Sequence, residues 1–163
     1  MSESITVAEL RPHYQTDDKN TAYYDGVFSN MLTGNMWQAN FVSAFFPLPW
    51  MLYRRMYAAA FIYNVTVSLI LNLIPKDYIL VFIPLNILMM LFGGNFIYFR
   101  ALLKKVNHPP KIAIDQQACL VYVAASILMS LLAQSQNAFA YVVELVFWVW
   151  LYLYRVKSEL YSP

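Results

Sequence analysis

The chain has 163 residues, of which 60% are hydrophobic and only 12% charged, with a formal net charge of +2. Soluble domains carry about 25% charged residues, so this composition excludes an ordinary soluble domain and a nucleic-acid binder that works through net basic charge. The first 39 residues hold two basic residues (Arg11, Lys19) against five acidic ones, whereas the rest holds nine against four. A short acidic arm therefore precedes a basic, apolar body.

The arm, residues 1–39, opens on a stretch to residue 19 that reads as disordered. It lacks the basic n-region and apolar core of a cleaved signal peptide. One amphipathic helix is expected from Thr21 to Leu32, where Tyr24, Phe28, Met31 and Leu32 make an apolar stripe at helical spacing; Gly34-Asn35 ends it. This helix rests on the membrane or a cytoplasmic loop, or docks a partner.

Residues 40–55 form an aromatic segment. Pro47 and Pro49 each remove a backbone donor, and about 14 apolar residues are too few to cross, so the segment is assigned to the membrane surface. Phe45, Phe46, Trp50 and Tyr53 are its headgroup-level anchors, and Trp50 is expected to pack on the first or fourth span. Arg54 and Arg55 mark its junction with the apolar body.

Residues 56–157 contain four runs near the roughly 20 residues that a membrane-spanning helix needs. They are Met56–Ile74, Tyr78–Phe99, Gln117–Ala133 and Ala138–Tyr154. With both termini cytoplasmic, Arg11, Lys19, Arg54, Arg55, Arg100, Lys104, Lys105, Lys111, Arg155 and Lys157 share one side, and only Lys76 of the eleven basic residues lies outside. That is a strong positive-inside pattern. Residues 158–163 are a cytoplasmic tail. The fold class expected is all-α: an integral membrane four-helix protein with an interfacial aromatic segment and a short cytoplasmic N-terminal helix.

Polar residues within the runs are few. Glu144 is the one ionisable residue well inside a span, where a carboxylate costs roughly 2.5–3.5 kcal/mol on insertion scales unless it faces the bundle, is paired or is protonated. It reads as a proton or cation site, or as a hydrogen-bonded carboxyl that serves assembly. Asn64, Ser68 and Asn72 share a face of the first span, Asn86 and Asn95 lie in the second, and Ser126 and Ser130 in the third. They read as interhelical glue or as the lining of a polar cavity. Pro84 is expected to kink the second span and Gly93-Gly94 to admit a neighbouring helix. The lone Cys119 excludes an internal disulfide.

The run Asn40, Ala44, Phe45, Phe46, Trp50, Tyr53, Arg54, Arg55, Met56, Tyr57 resembles the hallmark of a bacterial inner-membrane family known as domain of unknown function 2628. Gly94-Asn95, Tyr98 and Arg100 supply a second match, and Tyr23-Tyr24 with Phe28 a weaker one, so the resemblance covers residues 20–105. Pro47 and Pro49 depart from the family, which tends to have Gly and an aliphatic residue there. The resemblance implies bacterial inner-membrane location and topology but no mechanism.

Chemical motifs are missing. His13 and His108 have no Cys or carboxylate at metal-ligand spacing, and no phosphate loop, GxSxG or HExxH occurs. The expectation is a non-enzymatic protein without cofactor or metal, acting as an accessory or assembly subunit of an envelope complex or as a homo-oligomer. The alternative is a small oligomeric transporter or channel using Glu144, Asn64, Asn72, Asn86 and Asn95. Phe45, Phe46, Trp50, Arg54, Arg55, Arg100, Lys104 and Lys105 are the candidate partner or anionic-lipid contacts.

Overall fold

The computed structural model describes residues 5–109, 114–133 and 139–156, and these are all-helical, with no strand. Eight α-helices follow in order: α1 (Val7–Leu10), α2 (Asp18–Leu32), α3 (Phe41–Phe45), α4 (Pro47–Tyr53), α5 (Tyr57–Leu73), α6 (Ile79–Leu103), α7 (Gln116–Ala133) and α8 (Phe139–Leu151). Lys111, Lys157 and Gln136 fall outside the described residues. Lys76–Leu103, α6 with its entering turn, is the one described helix both long and apolar enough to cross a membrane; Tyr57–Leu73 and Gln116–Leu131 are apolar but shorter. Helix α8 continues into a π-helical turn, Tyr152–Val156.

Two departures from expectation lie near the N-terminus. The segment read as disordered is ordered over its described part, residues 5–19. Thr6-Val7-Ala8-Glu9 is a capping box, in which the Glu9 carboxylate accepts from the Thr6 backbone N–H (2.6 Å) and hydroxyl (2.9 Å). Beyond it Leu10 and Tyr14 are wholly buried. Tyr14 meets Phe28 edge-on at 5.0 Å, and the Arg11 guanidinium grips Asp25 through two hydrogen bonds of 3.1 and 2.6 Å. Helix α2 starts earlier than Thr21 because Asp17 accepts from the Asn20 backbone N–H at 2.8 Å and caps it. Its inward face is Tyr24, Val27, Phe28 and Met31, while Leu32 is exposed.

The prolines of the aromatic segment organise helix rather than prevent it. Asn40 caps α3 by accepting from the Ser43 N–H at 3.0 Å. Phe46, kept out of the helical region before Pro47 (φ −131°, ψ 58°), separates α3 from α4, and Pro47 takes the first position of α4, where no donor is required. Helices α2 and α4 close with the same hydrogen-bond pattern. In α2, Asn35 N–H reaches Asn30 O (2.9 Å) and Gly34 N–H reaches Met31 O (3.1 Å), with Gly34 at φ +100°. In α4, Met56 N–H reaches Met51 O (2.9 Å) and Arg55 N–H reaches Leu52 O (3.0 Å), with Arg55 at φ +56°. The left-handed position of this motif is normally glycine; an arginine there costs on the order of 1 kcal/mol.

The buried core is concentrated at one end. Along α6 the buried residues are Met90, Gly94, Asn95, Tyr98, Phe99 and Leu102, a single face of its last turns, covered by α2, α3 and α4. The first half of α6 is exposed, with Leu80 at 80% and Met89 at 63%. Helix α5 buries only Tyr57 and Ala60, near its start. A cap built from the arm and the aromatic segment thus sits on the Leu103 end of α6.

The arm is held by titratable groups, which makes its docking depend on pH. Burial raises the Asp25 carboxyl, but hydrogen bonds from Tyr14 and Arg11 outweigh it and hold Asp25 below its ordinary value of 3.8. Burial first, then the charges of Lys105 and His108, push His13 below 6.5. His13 binds protons more readily when the arm is undocked and Asp25 when the α1 segment leaves α2, so both contributions are present at neutral pH and fade on acidification, His13 first below 6.5 and Asp25 below 3.8. Hydrogen-exchange protection of α1 and α2, corrected for intrinsic rates, should fall in these two steps. His13→Gln should remove the first step and Asp25→Asn the second; protection that stays flat with pH would refute the assignment.

Candidate functional site: a polar and aromatic cap on one helix end

The cap centres on Asn95, which is completely buried. Its Oδ1 accepts from Asn40 Nδ2 (2.8 Å), and its own Nδ2 donates to the Tyr23 hydroxyl (2.9 Å). The Asn40 backbone N–H donates to Leu91 O (2.7 Å), and the Ser43 hydroxyl donates to Met90 O (2.8 Å). Two carbonyls of α6 therefore serve α3 as well as their own helix. This needs close approach: a Cβ on Gly94 would lie 2.1 Å from Ser43 Oγ and 2.7 Å from Ser43 Cβ. The two segments that carry the motif resemblance, about 55 residues apart, meet at this contact.

Arg54 is 5% exposed and stacks over Tyr24 (4.4 Å from guanidinium carbon to ring centroid), with Tyr53 at 5.4 Å and Tyr98 at 5.5 Å. Trp50 is 4% exposed and packs edge-on against Tyr98 at 5.9 Å, with its indole N–H toward the Tyr24 hydroxyl at 3.4 Å. Its neighbour is thus the end of α6 and the arm, not the first or fourth span. Phe45 and Phe46 are both 62% exposed and form, with Trp37, Phe41 and Val42, an apolar outer surface.

Arg55, Arg100, Lys104 and Lys105 rim a groove of about 550 Å³ between the start of α5 and the end of α6, floored by Ala58, Ala59, Ile62, Phe96 and Ile97. Charge over an apolar trough suits a group with an anionic head and a hydrocarbon tail. The positive φ of Arg55 directs the chain from α4 into α5 at this rim.

Of the polar candidates on the long helices, only Asn64 and Glu144 are hydrogen-bonded to each other through their side chains. Asn64 Nδ2 donates to Glu144 Oε1 at 2.6 Å and joins α5 to α8. Asn86 donates to the Tyr63 hydroxyl at 2.7 Å and joins α6 to α5, whereas Asn72 turns back to Ser68 O of its own helix. Ser126 and Ser130 also bond to carbonyls one turn earlier in their own helix.

One node was absent from the sequence reading. Asp115, 8% exposed, accepts from the Tyr57 hydroxyl (2.6 Å) and the Ala118 N–H (2.9 Å), and lies 3.1 Å from Arg155 Nε. Its own N–H donates to Tyr53 O at 2.8 Å. It ties α4, α5, α7 and the turn after α8 together. The available signal was an aspartate immediately before an apolar helix, the ordinary N-cap position. Among the described residues no group of three His, Cys, Asp or Glu could hold a metal ion.

Gly93 and Gly94 allow a paired test. A Cβ on Gly93 meets nothing within 4 Å, so Gly93→Ala should stabilise by about 0.5–1 kcal/mol through helix propensity. Gly94→Ala should instead destabilise by about 1–3 kcal/mol, because α3 must move off α6. Ser43→Gly should recover part of that loss. Detergent-phase thermal unfolding compares them, and equal behaviour of the two alanine variants would disprove the close-contact account.

No protein-family model matches the chain, no curated protein matches it, and no solved structure matches its fold.

Proposed function

We propose that this chain is a small polytopic protein of the bacterial inner membrane, non-enzymatic, with four spans and both termini cytoplasmic, which acts by binding as an accessory or assembly subunit of a larger complex. The observation that carries this reading is the inverted surface. Large apolar side chains stay exposed along the four long helices, among them Leu73 (80%), Leu80 (80%), Leu120 (67%) and Leu145 (63%). An apolar surface on this scale needs lipid or another protein against it. In this reading the bilayer takes Ile79 to about Phe96 of α6, roughly 27 Å at 1.5 Å per residue, close to the ~30 Å hydrocarbon thickness. The cap then meets the inner side of the bilayer, with α3 beside Met90 to Asn95 and the arm toward the cytoplasm, and Arg55, Arg100, Lys104 and Lys105 fall at the headgroups, where anionic lipid is attracted.

The likeness of the aromatic-arginine segment to family 2628 supports the same location. The binding role is supported by the outer surface of Trp37, Phe41, Phe45 and Phe46, an aromatic face on the cap itself. The Asn64–Glu144 bond favours Glu144 as helix glue over a conducting group: such interhelical bonds contribute about 0.6 kcal/mol on average in membranes.

Reporter fusions test the topology. Those at Lys76 and Gln136 should read external and those at Asn107 and Pro163 cytoplasmic; a cytoplasmic signal at Lys76 overturns it. Purification in mild detergent should yield a stoichiometric complex or homo-oligomer that Phe45→Ser with Phe46→Ser disperses. A monomer under several gentle conditions contradicts the subunit role.

A further inference from the structure

Among the described residues Arg54 is a buried cation without a carboxylate counter-ion. No acceptor reaches its Nε or Nη1, both of them fully buried, and no carboxylate among the described residues pairs with it. Three tyrosine faces surround it, and such contacts are worth about 2 kcal/mol or more when desolvated but supply no negative charge. An unpaired buried charge costs several kcal/mol, so the arrangement is incomplete as it stands.

The missing partner has a place to sit. Arg54 lines an open cleft of about 420 Å³ between the arm and the aromatic segment, a volume in the range of small-molecule sites. Asn20, Tyr23 and Tyr24 form the arm wall; Asn40, Trp50 and Tyr53 the opposite one. The lip is apolar: Phe41 and Val42 line it and are 68% and 58% exposed. Asn40, next to them, bonds to Leu91 of α6, eight to twelve residues before the buried Phe99 and the end of the helix, so the lip lies at the apolar level of α6 while Arg54 lies toward the cap. One end of the cleft is cationic and hydrogen-bonding, the other greasy, and the two are oriented along α6.

We propose that this cleft binds one anionic glycerophospholipid of the cytoplasmic leaflet, with its phosphodiester on Arg54 and an acyl chain leaving past Phe41 and Val42. With Nε and Nη1 fully buried, the contact is a charge-assisted hydrogen bond from Nη2 to one phosphate oxygen. The site is separate from the basic groove between α5 and α6, and because α2 forms one wall, an occupied cleft also fastens the arm. The orientation rests on the membrane reading above; the need of Arg54 for an anion does not.

The test uses the full chain in neutral detergent, with thermal unfolding followed as phosphatidylglycerol, phosphatidylcholine, oleate or inorganic phosphate is added. Phosphatidylglycerol should raise the unfolding temperature and the exchange protection of α2 well beyond phosphatidylcholine. Arg54→Gln should weaken the apparent affinity by about 10- to 100-fold, the range of a charge-assisted contact. Should that variant not fold, Asn20→Glu decides: it places a negative charge on the cleft wall and should abolish the effect. Asn30→Glu, on the same helix but outside the cleft, adds the same charge and should leave it intact. A response to phosphatidylglycerol that survives Asn20→Glu, or that Asn30→Glu removes equally, overturns the proposal. So does a response to oleate or inorganic phosphate without phosphatidylglycerol. Failure of the topology fusions with this lipid effect intact would remove the membrane orientation alone.

Discussion

Everything in the cap depends on how near α3 comes to α6. The contact is limited by one hydrogen atom: Gly94 offers no Cβ, so Ser43 reaches the Met90 carbonyl and Asn40 reaches both Leu91 and Asn95. These groups are buried, where an unmet partner costs about 1–3 kcal/mol, so the contact holds in one register only. Asn95 then passes the register on, because its second amide hydrogen bond fixes the Tyr23 hydroxyl, which also donates to Ala39 O at 2.9 Å. The arm is thereby placed over Tyr98 and Phe99, with Phe28 stacked on Phe99 at 5.6 Å. A backbone-level constraint at one glycine is relayed by polar side chains into the position of a whole helix.

The two parts of the molecule are stabilised differently. In the cap, rings such as Tyr14, Tyr24, Phe28, Trp50 and Tyr98 interlock at centroid distances of 5 to 6 Å, as a soluble core does. Along the long helices α7 packs closely on α8, with Tyr122 edge-on to Phe147 at 5.3 Å, and the polar links between helices are single bonds, Asn64 to Glu144 and Asn86 to Tyr63. Asp115 is the exception, a charged junction that couples the start of α7 to the end of α4.

The sequence disclosed those features that follow from local pattern. The long helices were legible in their apolar runs, the α2 face in the spacing of Tyr24, Phe28 and Met31, and a close approach in Gly93-Gly94, although only Gly94 makes one. Features that depend on tertiary partners were not. Leu10 and Tyr14 look unremarkable in a polar stretch, and only the aromatic face of α2 gives them somewhere to go. Arg54 and Arg55 look equivalent, yet the left-handed turn at Arg55 sends one side chain into the ring cluster and the other to the groove rim. The missing donor of Pro47 speaks against a helix interior, whereas the first turn of a helix has no need of that donor. The capping box of Thr6 and Glu9 and the cap at Asp115 were local signals and available; neither sits where composition draws attention.

The docking of the arm has a consequence for the order of events during synthesis. Leu10, Tyr14 and Phe28 are made before α6, but the surface they bury against includes Tyr98, Phe99 and Leu102 of that helix. At 5–20 residues per second, several seconds separate the two. Throughout that interval the arm has no wall to close on, and its aromatic face stays open. A segment made well before α6 finds its contacts only once that helix exists, and its docking reports that α5 and α6 have been completed.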